Sequence, residues 1–279
     1  MKKLAYYNGT ISPLSDMKIP LSDRAIFFGD GVYDAAVGAN GKIYLEGEHI
    51  ARLEQSAASI GLSNIPSVSQ ISDALHCIVK ESGIPEFFLY FQLTRSGNTR
   101  RHSYIGFTST NFLITIEPFT MPEPSRRLSL ITKEDLRYYY CNVKTINLLP
   151  AVLASGAAEE CKCDEAVLHR GQTVTECAHS NIFILKGGIL KTHPTNNLIL
   201  PGITRKHLLQ CCGELGIKCD ETPFTLEEMF SADEVLVTST SKLCHAVEKI
   251  DDKSVGGKAR KYADMLCRTM HNNYVNAII

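Results

Sequence analysis

A segment that contains two prolines, near the middle of the chain, most constrains the fold. Residues 120–125 have the sequence Thr-Met-Pro-Glu-Pro-Ser and interrupt a regular alternation of strand-like and helix-like stretches. Proline fixes φ and lacks a backbone donor, so neither a helix nor a central strand continues through such a pair. Because 279 residues are also many for one compact unit, we predict two domains. They are an N-terminal α/β domain over residues 1–119 and a C-terminal α/β domain over residues 126–279, joined by a linker over residues 120–125.

Hydrophobic spacing and turn residues predict the main elements of both domains. The N-terminal domain contains three strand-like runs, at residues 3–7, 86–94 and 111–119, and two helix-like runs, at residues 48–60 and 67–82. The C-terminal domain contains five strand-like runs, at residues 127–132, 165–169, 173–185, 189–193 and 234–237, and three helix-like runs, at residues 148–161 and 205–215 and, as a short helix, after Thr225. Asn147 is predicted to cap the first of these C-terminal helices, which places Pro150 in the first turn, where proline is tolerated.

Composition excludes several classes of protein. The formal net charge is −1, from 29 Lys and Arg against 30 Asp and Glu, so no basic face for nucleic acid is predicted. The ten cysteines include no Cys-x-x-Cys pair, which disfavours a metal site or a disulfide framework and favours a reducing cytoplasm. No apolar run approaches the ~20 residues of a membrane span, and the N-terminus becomes polar too early for a signal peptide. We therefore expect a cytoplasmic protein that acts on small molecules without a metal ion.

Three separated features could together hold one cofactor. Lys144 supplies an amine just before an apolar helix, Glu176 lies in a strand among apolar neighbours, and the segment from Gly202 opens another helix. Pyridoxal phosphate (PLP) requires an amine that can form an imine, a carboxylate facing its ring nitrogen, and a helix N-terminus for its phosphate. A buried carboxylate also needs a partner cation, which a protonated pyridine nitrogen would supply. The combination favours a PLP site.

Each feature taken alone has a simpler interpretation. Lys144 could be a solvated charge, Glu176 a solvent-facing residue on an edge strand, and Thr204 a plain helix N-cap. Arg52 lies on the flank of a predicted helix, where an ordinary surface arginine is common. The joint occurrence of these residues, rather than any one of them, carries the prediction.

The order of short motifs along the chain resembles the fold-type IV PLP enzymes. This group contains D-amino acid transaminases, branched-chain aminotransferases and aminodeoxychorismate lyases, and the similarity extends from about residue 6 to about residue 250. Within the group the chain is most similar to D-amino acid transaminases, because Arg100-Arg101-His102 matches their Arg-x-His carboxylate-binding pair. The matching motifs occupy residues 28–33, 48–53, 143–149, 174–176, 180–183, 200–205 and 237–241.

The resemblance implies an α/β fold of two mixed domains with the cofactor site between them, and a role for each matching residue. Lys144 would be the Schiff-base lysine and proton carrier. Tyr33 would hold the substrate carboxylate, together with Arg100 and His102 from the neighbouring subunit of a homodimer. The implied reaction moves an amino group from D-alanine or D-glutamate to a 2-oxo acid such as 2-oxoglutarate. The implied cofactor-binding residues are Arg52, Lys144, Glu176, Ser180, Ile203, Thr204 and Thr240.

Departures from the group's pattern leave the substrate open. Asp34 stands where the group usually has Glu, His179 replaces a small polar residue, and Pro201 stiffens the turn before Gly202. One alternative is a branched-chain L-amino acid aminotransferase, which is expected to lack the Arg-x-His pair. A second is an aminodeoxychorismate lyase, which shares Lys144 and Glu176 but releases pyruvate. A third is a catalytically silent PLP-binding or purely structural α/β protein.

Overall fold

The computed structural model describes residues 2–97 and 99–279, and the chain packs as two units. The first unit comprises Met1–Thr120, Val143–Asn147 and Ala277–Ile279, and the second comprises Met121–Asn142 and Leu148–Asn276. This division differs from the predicted one because two later segments return to the first unit. The Tyr33 amide donates to the Lys144 carbonyl at 2.9 Å, and the Asn40 side chain donates to the Ile278 carbonyl at 3.2 Å. The linker over residues 120–125 stays a prediction.

The first unit is an antiparallel sheet whose apolar face is packed against helices. Its strands are β1 (Leu4–Tyr7), β2 (Thr10–Pro13), β3 (Gly31–Ala39), β4 (Lys42–Ile43), β5 (Glu86–Arg95) and β6 (Thr110–Pro118). They lie in the order β2-β1-β6-β5-β3-β4. Its helices are α1 (Ala25–Phe28), α2 (Glu46–Ser59) and α3 (Val68–Ser82). Alternate residues of β5, among them Phe87 and Phe91, are fully buried in one core with Leu53 of α2 and Leu75 of α3.

The second unit is a mixed sheet with its own core. Its strands are β7 (Arg127–Glu134), β8 (Glu165–Arg170), β9 (Thr173–Cys177), β10 (Asn181–Lys186), β11 (Ile189–Thr192), β12 (Lys218–Asp220), β13 (Glu234–Ser239), β14 (Leu243–Ile250) and β15 (Lys253–Ser254). Strand β7 lies parallel to both β8 and β14, whereas β10 is antiparallel to β11 and β13. Its helices are α4 (Leu149–Glu160), α5 (Ile203–Glu214), α6 (Leu226–Ser231) and α7 (Arg260–Ile278).

Most predicted elements are confirmed to within two residues at each end, but two predictions are wrong. The run over residues 173–185 is two strands, because the chain turns after Cys177, whose amide donates to the Ser180 carbonyl at 2.7 Å. In that turn the buried Glu165 carboxylate accepts from the His179 amide and the Ser180 hydroxyl. Asn147 does not cap α4; its side-chain amide donates to the Gly29 carbonyl at 2.8 Å instead.

Two features are absent from residues 2–97 and 99–279. In these residues no helix has both the length and the apolar composition that crossing a membrane requires. Within the same residues, no group of three or more His, Cys, Asp or Glu side chains is arranged to hold a metal ion.

Candidate active site

Lys144 lies in the first unit, against the predicted substrate residue Tyr33. Its backbone is held on both sides, because its amide donates to the Ser56 hydroxyl at 3.3 Å and its carbonyl accepts from Tyr33 at 2.9 Å. The amine nitrogen Nζ lies 4.2 Å from the centroid of the Tyr33 ring, and that ring stacks on Tyr90 at 5.2 Å. Among the described residues of this unit, no carboxylate forms an ion pair with Nζ. The half-buried amine is therefore positioned by its backbone and uncommitted to an acid.

Arg52, predicted to bind phosphate, is oriented by a buried carboxylate. Its Nε and Nη2 donate to the two oxygens of Asp34 at 2.7 and 2.8 Å, and His49 Nδ1 lies 2.7 Å from Asp34 Oδ1. Burial raises the pKa of Asp34, but the charge of Arg52 and the hydrogen bonds from Arg52 and His49 lower it below its usual 3.8. Asp34 is thus ionised at neutral pH and offsets part of the charge of Arg52. These two hydrogen bonds fix the orientation of the Arg52 guanidinium and therefore the direction from which it can bind a phosphate.

Arg100 and His102 are brought together by one aromatic ring in the first unit. The guanidinium carbon of Arg100 lies 5.4 Å from the centroid of the Phe28 ring, and the His102 ring lies 5.3 Å from the same ring. Both side chains are otherwise exposed. A guanidinium and an imidazole on one platform can donate hydrogen bonds to the same carboxylate.

Glu176 lies in the second unit, on β9, and its carboxylate is almost fully buried. It accepts hydrogen bonds from the Asn181 side chain at 2.9 Å and from the Leu200 amide at 3.1 Å, and it forms an ion pair with Arg137 Nη1. Burial outweighs the opposing charge and hydrogen bond of Arg137, so the pKa of Glu176 is raised to about 7. A carboxylate poised near neutrality can take a charged hydrogen bond from a protonated ring nitrogen.

Arg137 and Asp135 are site residues that the sequence analysis missed. The Arg137 guanidinium donates to both Asp135 oxygens at 2.9 Å and to the Leu198 carbonyl at 3.1 Å. Burial lowers the pKa of Arg137, but the hydrogen bond to Asp135 and the charges of Glu176 and Asp135 raise it above its usual value. Sequence reasoning assigned the cation beside Glu176 to the cofactor alone, whereas the chain supplies one itself. The available signal was a charged pair directly after the apolar strand β7.

The start of α5 has backbone amides that lack an intrahelical partner and could serve the anion site predicted from the sequence. Gly202 occupies the N-cap position, with no side chain bonded to the first turn, so Ile203 and Thr204 begin the helix with amides suited to an anion. A Cβ atom at Gly202 would lie 2.0 Å from Asn181 Oδ1. The close approach of Gly202 to Asn181 therefore ties this helix start to the residue that holds Glu176.

Hydroxyl groups lie on neighbouring segments of the second unit. Thr240 directly follows β13, and the buried Thr238 Oγ1 has no hydrogen-bond partner within the described part of the chain. Thr238 pairs with Asn181 across β10 and β13, which places both side chains on one face of the sheet. Ser180 already donates its hydroxyl to Glu165 at 2.8 Å, so it can only accept a further hydrogen bond. Together with the start of α5, the Thr238 and Thr240 hydroxyls form a donor set that fits a phosphate ester, and Glu176 fits a pyridine ring.

Comparison with known proteins assigns the family. D-alanine aminotransferase from Bacillus licheniformis is 36% identical over 255 residues, covering 91% of this chain and 90% of the relative. D-alanine aminotransferase from Listeria innocua is 35% identical over 277 residues, covering 98% and 95%.

A solved structure agrees in fold. The branched-chain aminotransferase from the thermophilic archaeon Thermoproteus uzoniensis, solved with norvaline, matches with a TM-score of 0.90 at 21% identity, over 98% of this chain and 95% of that chain. The mixed α/β, fold-type IV arrangement predicted from the sequence is confirmed. Residues 31–250 match the family described as amino-transferase class IV, and so the chain belongs to the class IV aminotransferases.

Proposed function

We propose that this aminotransferase is a PLP-dependent D-amino acid transaminase. It moves an amino group from D-alanine or D-glutamate to a 2-oxo acid such as 2-oxoglutarate. The observation that carries the substrate assignment is the shared contact of Arg100 and His102 with Phe28, which leaves both side chains exposed to a carboxylate. The two curated relatives named D-alanine aminotransferase support the same assignment.

Each group of residues in the site has one role in binding the cofactor. Lys144 attaches PLP through its amine, and Glu176 pairs with the ring nitrogen. Arg52, Ile203, Thr204 and Thr240 would bind the phosphate, and Ser180, whose proton goes to Glu165, would line the cofactor site as a hydrogen-bond acceptor. When bound, PLP withdraws electrons from the Cα atom of the substrate. Lys144 Nζ, once released and unprotonated, would accept the Cα proton and deliver it to the cofactor carbon C4′. Arg137 and Asn181 orient the Glu176 carboxylate.

The substrate proposal requires two copies of the chain. Tyr33 holds the carboxylate from the copy that supplies Lys144, and Arg100 with His102 holds it from the neighbouring copy of a homodimer. A guanidinium grips a carboxylate through two parallel hydrogen bonds, which fixes the face from which the Cα proton leaves. The ten free cysteines support a reducing cytoplasm as the compartment.

A panel of amino donors tests the proposal. D-alanine and L-alanine are compared with 2-oxoglutarate as acceptor, and D-glutamate and L-glutamate with pyruvate. Charge-assisted hydrogen bonds lost by the wrong enantiomer correspond to roughly ten- to hundred-fold in kcat/KM, so the D forms are expected to react faster by that factor. Arg100→Leu should raise the KM for D-alanine and leave PLP bound. Arg101→Leu, in the same loop, is the matched control.

The panel also separates the alternatives. L-leucine or L-valine as the fastest donor would replace this proposal with a branched-chain aminotransferase. Pyruvate released from aminodeoxychorismate would indicate a lyase, and protein that stays colourless with added PLP would indicate a silent member of the fold.

A further inference from the structure

Arg24 is a buried arginine of the first unit whose guanidinium is committed at every nitrogen. It is 3% exposed and directly precedes α1. Its Nε donates to Asp30 Oδ2 at 2.7 Å, Nη1 to the Arg101 carbonyl at 2.6 Å, and Nη2 to the His102 carbonyl at 3.2 Å. Two of its three anchors are therefore backbone atoms of the loop that carries Arg100 and His102.

Aromatic rings hold the same guanidinium from the side. Its carbon lies 4.6 Å from the Phe28 centroid and 5.1 Å from the Phe107 centroid. Phe28 is also the ring against which Arg100 and His102 rest. Arg24 thus contacts Phe28, against which the Arg100 and His102 side chains lie, and Phe107, at the end of the loop over residues 99–107.

Within the described part of the chain, the hydrogen bonds and ring contacts that side chains of residues 99–107 make outside their own loop are with Arg24, with the Phe28 ring and, through Tyr104, with Arg95. Inside the loop, Arg101 contacts the Ile105 carbonyl and the Phe107 ring. Residues 99–106 are all exposed. Its internal backbone hydrogen bonds are short in range, from the Arg101 amide to the Thr99 carbonyl and from the Phe107 amide to the Tyr104 carbonyl. Exposed segments with few buried contacts open readily, because nothing offsets their conformational entropy. Arg24 supplies buried, charged hydrogen bonds to the backbone of this loop, at the carbonyls of Arg101 and His102.

Asp30 also pairs with a second arginine, Arg95, which provides a matched comparison for Arg24. Arg95 Nε lies 3.1 Å from Asp30 Oδ2, and its other nitrogens donate to the Gly61 and Ile60 carbonyls at 2.9 and 2.7 Å. Arg95 is as buried as Arg24, but its backbone partners lie at the end of α2. It meets residues 99–107 through the Tyr104 ring, at 4.5 Å.

We propose that Arg24 is a positioning residue for substrate binding. By holding the carbonyls of Arg101 and His102, it fixes the loop so that Arg100 and His102 present their donors to a substrate carboxylate. This inference rests on the proposed function, which assigns the carboxylate to that pair. Asp30, the acid of the Gly-Asp-Gly motif, holds Arg24 in turn.

The experiment compares Arg24→Lys with Arg95→Lys in the holoenzyme. Both variants keep a positive charge beside Asp30 but lose the planar guanidinium that bonds several partners at once. Trypsin cleavage after Arg100 and Arg101 reports loop order directly. Cleavage and the KM for D-alanine are both expected to rise about tenfold in Arg24→Lys, the scale of one charge-assisted hydrogen bond, with kcat and PLP content within about twofold. Arg95 meets the loop through the Tyr104 ring and bonds the carbonyls of Ile60 and Gly61 instead of those of Arg101 and His102, so Arg95→Lys should change cleavage and KM by no more than about twofold.

A double-mutant cycle separates positioning from general damage. If Arg24 acts through Arg100, Arg24→Lys should add nothing to the KM of Arg100→Leu, because the group being positioned is already gone. Phe107→Leu, which removes one ring beside Arg24 and keeps every ionic partner, should accelerate cleavage in the same direction. If Arg24→Lys folds poorly, Phe107→Leu provides the test of loop order in its place.

The outcomes distinguish this inference from the function on which it rests. Unchanged cleavage and KM in Arg24→Lys, with a raised KM in Arg100→Leu, would overturn the role of Arg24 alone. Equal effects of Arg24→Lys and Arg95→Lys, or additive effects in the cycle, would also overturn it. An unchanged KM in Arg100→Leu would remove the carboxylate role of the pair, and the positioning role of Arg24 with it, whatever the cleavage rates.

Discussion

Glu176 shows how single side chains set the charge balance of the second unit's site. Its carboxylate is surrounded by donors from the chain, among them Arg137, Asn181 and the Leu200 amide. Burial nevertheless raises its pKa from 4.5 to about 7. At neutral pH, protonated and ionised forms of Glu176 therefore coexist before any cofactor binds.

The raised pKa of Glu176 predicts how the stability of the cofactor-free protein depends on pH. Because the folded-state pKa lies above the unfolded value, the protonated form stabilises the fold; this contribution is complete below pH 4.5 and is lost as pH rises through about 7. The difference corresponds to about 3 kcal/mol. Glu176→Gln cannot titrate, so its free energy of unfolding in urea should fall less than that of wild type between pH 4.5 and 8. Parallel curves for the two proteins would contradict this prediction.

Lys144 carries the covalent part of the proposal. Borohydride reduction of the holoenzyme should fix the cofactor to the peptide that contains Lys144, because its amine is positioned and pairs with no acid among the described residues of its unit. Lys144→Ala should bind PLP without a reducible linkage and lose transaminase activity. Lys133→Ala, at an exposed lysine, should behave as wild type. Peptide mapping by mass spectrometry is the measurement, and label on another lysine would refute the assignment.

At the scale of elements, the start of α5 couples the proposed phosphate site to the proposed ring site. Gly202 approaches Asn181 closely, and Asn181 Nδ2 donates both to Glu176 and to the Leu200 carbonyl at 2.9 Å. The helix therefore begins where the strand β10 presents its first residue. A change at the helix start must move the amide that orients Glu176.

Gly202→Ala tests this coupling, with Gly213→Ala as the matched change in the same helix. At Gly202 the new Cβ would lie 2.0 Å from Asn181 Oδ1, whereas at Gly213 it meets nothing within 4 Å. Gly202→Ala should lower the free energy of unfolding by about 1–3 kcal/mol through overpacking and weaken PLP binding. Gly213→Ala should raise stability by about 0.4–1 kcal/mol and leave PLP binding unchanged. Urea unfolding and cofactor titration measure both effects; equal PLP affinity in the two variants would contradict the coupling.

At the scale of the whole molecule, exposed apolar side chains support the proposed homodimer. Leu149, Val152 and Leu153 are 68%, 59% and 65% exposed on α4, and Tyr139 in the same unit is 62% exposed. Apolar residues so concentrated on one element are typical of a surface that is covered by a partner. A second copy of the chain is the partner that the proposed substrate site also requires.

Mixed subunits test the shared site. Lys144→Ala and Arg100→Ala are each expected to be severely impaired as pure dimers. A hybrid dimer would have one site with both Lys144 and the neighbour's Arg100, so an equal mixture should recover roughly a quarter of wild-type activity by random assortment of a twofold dimer. Mass spectrometry of the intact dimers shows whether the subunits have exchanged. Complete exchange without recovered activity would place Arg100 and Lys144 in the same copy.

The sequence by itself determined the elements that have strong local periodicity. Helices α2 and α3 and strands β5 and β6 follow from apolar spacing and their flanking turn residues. Strand β3, with the sequence GVYDAAVGA, was not predicted, because Gly, Ala and Asp disfavour strands. It forms because β5 pairs with it over its whole length. The family, and with it Lys144 and Glu176 as candidates, also followed from motif order alone.

Only the tertiary structure decided the partners of these residues. Arg137 reaches Glu176 across 39 positions, Arg24 reaches the Arg101 carbonyl across 77, and Arg52 reaches Asp34 across 18. No local pattern records such pairs, because a charged side chain has the same local signature whether it meets water or a buried acid. Sheet register and the return of residues 143–147 to the first unit choose the partner. Burial then decides which of these groups stay ionised, because an unpaired charge in the interior costs too much free energy.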